Sequence, residues 1–217
     1  MRTKTRSIEQ IIEEQVRKWQ FSKTEPKAET VFRPIVTISR EPGSGGNVIG
    51  ERLARRLDLD LFHQEMIHAM AKSAKVSSRL LETLDERGLS VLDDWMAYMV
   101  DARHMWPDQY MKHLMKVIGA IGRHGGAVLI GRGANFILPP ERRFSVRVIA
   151  PFEIRAANVA RDHQVSEKDA RNRITKTDSQ RRAFIRKYFN ADISNPINYD
   201  LVINTATLKL EDAVNVI

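Results

Sequence analysis

The 217-residue chain has no cysteine, which excludes disulfides and thiolate catalysis and fits a reducing compartment. It has no apolar run of 18 residues, so no transmembrane helix is expected. Charges at its N-terminus stand where a signal peptide needs an apolar stretch, and the expected location is the cytoplasm. His63, His68, His104, His113, His124 and His163 fall into no H-E-x-x-H or comparable ligand spacing, so no protein-held metal is expected. Ser44 lacks the G-x-S-x-G elbow of a hydrolase nucleophile. Acidic residues are the minority charge, 27 against 35 Lys and Arg, for a formal net charge of +8. That balance points to polyanionic partners without separating a nucleotide from a nucleic acid. No internal repeat, heptad series or low-complexity block occurs. With 42% hydrophobic residues, the chain is long enough to bury a substantial core in one domain, or two at most.

What the chain does have is a glycine-rich turn, IVTISREPGSGGNVIGERLARRL, from Ile35 to Leu57. An apolar β-branched run enters Gly43, Ser44, Gly45 and Gly46, and an amphipathic helix leaves them. Unpaired backbone amides and the positive end of the helix dipole converge at such a turn and make an anion site. Glycines there admit positive φ and the close approach of a ligand to the main chain. The turn is a degenerate Walker A loop. The full pattern, G-x-x-x-x-G-K-[ST], puts a lysine on the β/γ-phosphates and a hydroxyl on magnesium. Aligned through Ile49, Leu53 and Leu57, this chain has Gly46 in the lysine position and Asn47 or Val48 in the hydroxyl position. The competing reading is a tight strand-to-helix connection with no ligand.

From Ile35 onward strand-like and helix-like segments alternate, which implies a parallel sheet covered by helices. Strands are expected at Ile35 to Ser39, around Leu59 to Phe62, Ala127 to Gly131, Ser145 to Ala150 and Tyr199 to Asn204. Most of these are near-continuously apolar, as strands buried on both faces are. A helical region from about Gln64 to Arg123 lies between the second and third, punctuated by Gly88, Pro107 and the pair Gly125 and Gly126. Its methionines, Met66, Met70, Met96, Met99, Met105, Met111 and Met115, read as core or as an adaptable partner surface. Ser7 to Trp19 reads as an amphipathic helix with Ser7 as N-cap and Ile8, Ile11, Ile12, Gln15 and Trp19 near one face. The polar linker FSKTEPKAET follows. This helix either packs on the domain or serves as a dimerisation or docking arm.

Two further segments carry chemistry. In AVLIGRGANFILPPE, Arg132 emerges past Leu129 and Ile130 at the carboxyl end of the third strand, the edge where open α/β sheets bind ligands. Its fork suits a phosphate; the plainer reading is a surface arginine at a strand end. The helix Ser166 to Phe189, with Ser166 as N-cap and Asp169 as its capping-box partner, carries Arg171, Arg173, Lys176, Arg181, Arg182, Arg186 and Lys187, and Arg155 and Arg161 precede it. Phosphoryl transfer needs positive groups on the equatorial oxygens and exclusion of water, which a cationic lid provides. A solvated basic face is the alternative. Phe184, Tyr188 and Phe189 follow helical spacing rather than forming a stacking platform, which argues against nucleic acid.

The segments ISREPGSGG, LDLFHQEMI, GRGANFIL, KTDSQRRAFIRKYF and NYDLVINT occur in this order. Together they resemble the cytidylate kinase-like family, related to the P-loop nucleoside monophosphate kinases, over roughly Ile35 to Ile217. The resemblance implies an α/β, three-layer P-loop NTPase-like fold with a five-stranded, mostly parallel sheet, helices on both faces and a helical lid. Residues 1–30 are then an N-terminal helical extension and linker, and 31–217 the kinase-like domain. Within that domain, about 63–125 form a helical acceptor-binding insert and about 152–190 the lid and basic helix. The implied activity is ATP-dependent phosphoryl transfer to a nucleoside monophosphate, CMP or dCMP, with magnesium arriving with the ATP and no protein ligands assignable to it. By position, Gly43, Ser44, Gly45, Gly46 and Asn47 take the donor phosphates. Arg132, matching the arginine of a G-R-D segment, and Asp178 and Arg181, matching a D-x-x-R pair, take the acceptor nucleotide, with Gln64 and Glu65 where the acceptor-binding helix begins. Arg132, Arg181 and Arg40 would neutralise charge during transfer, Arg40 standing in for the lysine from the strand end. Gly133 replaces the aspartate of G-R-D. The alternative function is a non-catalytic nucleotide-binding or regulatory protein that has lost the lysine, and a homo-oligomer through the N-terminal helix is the assembly this reading allows.

Overall fold

A computed structural model describes residues 7–24, 33–102 and 107–217. Residues 25–30 of the expected linker, His104 and Met105 lie outside them. In chain order the elements are α1 (Ile8–Thr24), β1 (Ile35–Arg40), α2 (Gly46–Arg56), β2 (Asp60–Phe62), α3 (Gln64–Lys72), α4 (Ala74–Glu82), α5 (Glu86–Ala102), α6 (Gln109–His124), β3 (Ala127–Ile130), α7 (Ala134–Ile137), β4 (Phe144–Ile149), α8 (Phe152–His163), α9 (Glu167–Phe189), β5 (Leu201–Asn204) and α10 (Leu210–Val216). They form two compact units, α1 with α3–α6 in one and the sheet with α2 and α7–α10 in the other. No helix among the described residues is long and apolar enough to cross a membrane.

In the helical unit, α3 and α4 pack on α6, burying Met66, Met70, Met99, Met111 and Met115 with Leu80, Leu92 and Leu114. Three histidines hold this unit together through hydroxyls: His68 with Tyr110, His113 with Ser77 and His124 with Thr83. The cap of α1 is reciprocal, with Ser7 Oγ accepting from the Gln10 amide and Gln10 Oε1 from the Ser7 amide. Its buried stripe is Ile12, Val16 and Trp19, while Ile11 is exposed, because Trp19 stacks on His124 with ring centroids 4.3 Å apart and fixes which face turns inward. The helix runs past Trp19 to Thr24, since the sequence holds no breaker before Pro26. Gly88 does not interrupt the region as expected. It lies in the first turn of α5, where its amide donates to Asp85 Oδ1 at 2.8 Å. One break falls at Ser73, which caps α4 by accepting from the Val76 amide.

The sheet has the order β2-β3-β1-β4-β5, and every pairing is parallel. One face is apolar: Val36, Ile38, Val128, Ile130, Val146, Val148 and Ile203 pack with Ile49 and Leu53 of α2 and Ala213 and Val214 of α10. The opposite face carries a polar stripe, with Thr37 opposite Ser145 and Ser39 opposite Arg147 across the β1/β4 pairing. Asp200 closes one end of it, its Oδ2 accepting from the Ser145 amide and hydroxyl, both at 2.7 Å, with Arg143 at 3.5 Å. The short helix α7, which strand–helix alternation did not reveal, packs on β1, and its Phe136 stacks on Phe189 of α9. The cap of α9 forms as expected, Ser166 Oγ accepting from the Asp169 amide.

Candidate active site

The end of β1, the central strand, delivers Arg40 into the glycine-rich loop, and α2 starts at Gly46. Two glycines take the left-handed conformation that side chains disfavour, Gly43 at φ +78° and Gly45 at φ +80°. The loop is braced from several sides. Ser44 donates both its amide and its hydroxyl to the Glu41 carbonyl, Asn158 of α8 donates to the Gly43 carbonyl at 2.8 Å, and Thr205 donates to the Ser44 carbonyl at 2.9 Å. Among the described residues, none accepts from the amides of Gly45, Gly46, Asn47 or Val48. Four unmet donors at a helix N-terminus are the physical requirement of an anion site.

Counting back from Gly46 in the lysine position, Arg40 occupies the place of the first Walker glycine. A Cβ built on Gly46 would lie 2.5 Å from Arg40 Cβ, 3.1 Å from its Cγ and 3.3 Å from Val148 Cβ. The Arg40 stem therefore fills the volume that a side chain at position 46 would need. Its guanidinium is steered by Asn47, whose Oδ1 accepts from Nε at 2.9 Å. The missing lysine and the extra arginine are two halves of one steric exchange.

Beside the loop lies a cavity of about 240 Å³ lined by Arg40, Glu41, Arg147, Phe152, Arg155, Thr175, Asp178, Arg181, Arg182, Ile193 and Ser194. Five guanidinium groups against two carboxylates leave a surplus of positive charge. Arg155 joins both carboxylates, its Nε 3.3 Å from Glu41 Oε2 and its Nη1 2.9 Å from Asp178 Oδ2. Arg181 Nη1 donates to the Arg40 carbonyl at 2.6 Å, tying α9 to the end of β1. Of the residues expected from sequence, Arg40, Asp178 and Arg181 come together here, with Arg155 and Arg182 from the cationic set.

Other expected residues stand elsewhere. Arg132 follows β3 and does not line this cavity. Its φ of +54° lies between those of Gly131 and Gly133, +82° and +68°, so three consecutive residues turn left-handed. A Cβ on Gly133 would fall 2.4 Å from Phe189 Cε2, which leaves no room for the aspartate of G-R-D. Gln64 opens α3 in the helical unit, where its Nε2 donates to Glu65 Oε1. Arg171 pairs with Glu153 and Glu167, and Arg161 with Asp162, all on the surface. Arg173, Lys176, Arg186 and Lys187 are exposed along α9. Glu41 and Arg147 were not singled out from sequence. The signal for Arg147 is a charge inside the otherwise apolar run SVRVI.

No group of three acidic or histidine side chains among the described residues is placed to hold a metal, and the Asn47 carbonyl in the hydroxyl position already serves Arg40.

A wholly parallel sheet of this order, with a glycine-rich strand-to-helix loop at the carboxyl end of its central strand, defines an α/β protein with a P-loop NTPase-like fold. The chain belongs to the cytidylate kinase-like family, whose family model matches residues 35–207. It is similar to the cytidylate kinase of Sulfolobus acidocaldarius, 34% identical over 183 residues that cover 84% of this chain and 91% of that one. The cytidylate kinase of Ignicoccus hospitalis is 25% identical over 183 residues, 84% of this chain and 96% of that one. Among solved structures, an uncharacterized protein from Eubacterium ventriosum shares the fold, with a TM-score of 0.65 at 22% identity over 85% of this chain and 95% of that chain.

Proposed function

We propose that this protein is a nucleoside monophosphate kinase that transfers the γ-phosphoryl group of magnesium-bound ATP to CMP or dCMP. The observation that carries the reading is the exchange at positions 40 and 46: the lysine is gone, but the stem of Arg40 fills the space its own would need, and Asn47 holds the Arg40 guanidinium beside the loop. The free amides of Gly45 to Val48 take the β-phosphate, and Arg40 supplies the positive charge that a Walker lysine gives to the β/γ bridge. Arg155 and Arg181, carried on α8 and α9, flank the transferred group and balance charge that spreads over its equatorial oxygens.

A phosphate-monoester acceptor is ionised before it binds, so no general base is needed. The two cavity carboxylates, Glu41 and Asp178, are both engaged by Arg155. Magnesium enters as part of the nucleotide substrate. Arg132 takes the acceptor side by its motif position, and the names of the relatives support cytidine as the acceptor base.

A coupled assay for ADP, with ATP and magnesium against a panel of nucleoside monophosphates, tests the reading. CMP and dCMP are the expected acceptors, and Arg181→Ala lowers turnover about 100- to 1,000-fold. ATP binding by calorimetry with no ADP from any acceptor would establish the non-catalytic alternative instead.

A further inference from the structure

Arg147 lies in the middle of a sheet strand, whereas of the other cavity arginines Arg40 ends β1 and Arg155, Arg181 and Arg182 are carried by α8 and α9. It sits within β4, opposite Ser39 of β1 and Val202 of β5, at a kind of position where parallel sheets favour valine or isoleucine. It is 6% exposed, and removing a guanidinium from water is costly unless its donors and charge are matched. The matching is partial. Nη1 donates to Ser39 Oγ at 2.8 Å, Nη2 stands 3.6 Å from Glu41 Oε1, and Nε has no acceptor among the described residues. Glu41 is itself divided, since it also pairs with Arg155 and accepts from the Ala150 amide. Tyr199 lies under the guanidinium, 5.9 Å from its ring centroid, and adds a π-face but no charge. A buried arginine with a purely structural role has its donors met; this one keeps a charge and a donor in reserve.

We propose that Arg147 is an additional binding residue of the kinase site, a strand-anchored cation that takes an oxygen of the acceptor's phosphate group. The cavity, at about 240 Å³, is below the usual size of a whole-nucleotide pocket but accommodates a phosphate with ordered water. None of Gly43 to Asn47 lines it, so an anion bound there is a different group from the one on the loop amides. With Arg40, Arg155 and Arg181 on the transferred group, the buried Arg147 is left for the acceptor phosphate that this group must meet. Arg155, Arg181 and Arg182 are carried by α8 and α9, whereas Arg147 is fixed by the sheet and holds the acceptor phosphate at a constant height. This assignment rests on the kinase reading above, and the phosphate arm below keeps the two failures apart.

The test is steady-state kinetics of Arg147→Gln and Arg147→Lys with ATP and CMP varied in turn, together with calorimetric titration of the full chain with inorganic phosphate. A charge-assisted hydrogen bond is worth roughly 1.5–3 kcal/mol, which corresponds to about a 10- to 150-fold change in affinity. Arg147→Gln raises KM for CMP by at least about tenfold, with KM for ATP changed less than about twofold, and Arg147→Lys restores part of the loss. Phosphate affinity falls by a similar factor, a result that stands even if no monophosphate is turned over. The proposal is overturned if folded variants keep wild-type phosphate affinity and KM for CMP, or if only KM for ATP changes. It is also overturned if Arg147→Gln does not fold while Arg147→Lys shows a wild-type KM for CMP.

Discussion

Consider restoring the lysine by Gly46→Lys. The new Cβ must enter a space 2.5 Å from Arg40 Cβ and 3.3 Å from Val148 Cβ; neither atom is the free end of a flexible chain. Inserting atoms into such packing costs about 1–3 kcal/mol. A chain of this length loses about 2–4 °C in Tm per kcal/mol, so the expected fall in Tm is about 2–12 °C. Turnover drops as well, because Arg40 is pushed off Asn47. Arg40→Gly alone removes the cation and leaves the Asn47 carbonyl without its donor, lowering turnover on its own. The double variant, Arg40→Gly with Gly46→Lys, recreates the Walker pattern at both positions and removes the overlap. Thermal unfolding and the coupled assay, run on all four proteins, give a double-mutant cycle with a favourable interaction of about 1–2 kcal/mol and partial recovery of turnover. Additivity within about 0.5 kcal/mol, with Gly46→Lys as stable and active as wild type, would show that Arg40 does not occupy the lysine's volume.

Gly133→Asp, which restores the G-R-D segment, combines a left-handed backbone with a collision against the Phe189 ring and is expected to lower stability by about 2 kcal/mol or more; an unchanged Tm would refute the packing argument. Asp200 provides a pH test. Burial pushes its carboxyl up, but the Ser145 amide and hydroxyl and the Arg143 charge together hold it below its ordinary 3.8. A depressed folded-state value stabilises the protein above the unfolded value, and that contribution is lost as pH falls through the folded one. Asp200→Asn is therefore less stable than wild type at neutral pH, and the difference in Tm shrinks as pH falls below 3.8. A difference independent of pH would contradict the assignment.

The order of strands and helices was legible because β-branched runs and glycine turns are local signals, and the strand–loop–helix unit at Ile35 to Leu57 is the clearest of them. Arg40 was legible as a candidate from its place at the strand end. Its steric exchange with position 46 was not, because the contact between positions 40 and 46 is spatial and not local in the pattern. Arg147 was passed over since a charge in an apolar strand pattern carries no hint of which face it takes. For α1 the expected face holds at Ile12 and Trp19, but Val16 rather than Ile11 joins them inside, with Trp19 stacked on His124. The basic helix α9 divides by geometry, with Arg181 half-buried in the cavity, Arg182 exposed at its rim, and Arg173, Lys176 and Arg186 turned to solvent, a division that charge density alone does not make.

The central claim is that a guanidinium from the strand end does the work of the Walker lysine. Phosphorus NMR of the full chain with magnesium, ATP and CMP follows the transfer itself. The ATP and CMP signals are expected to give way to those of ADP and CDP, and Arg40→Ala to slow this about 100-fold or more. Unchanged ATP and CMP spectra with the wild-type protein, or equal rates for wild type and Arg40→Ala, would contradict it.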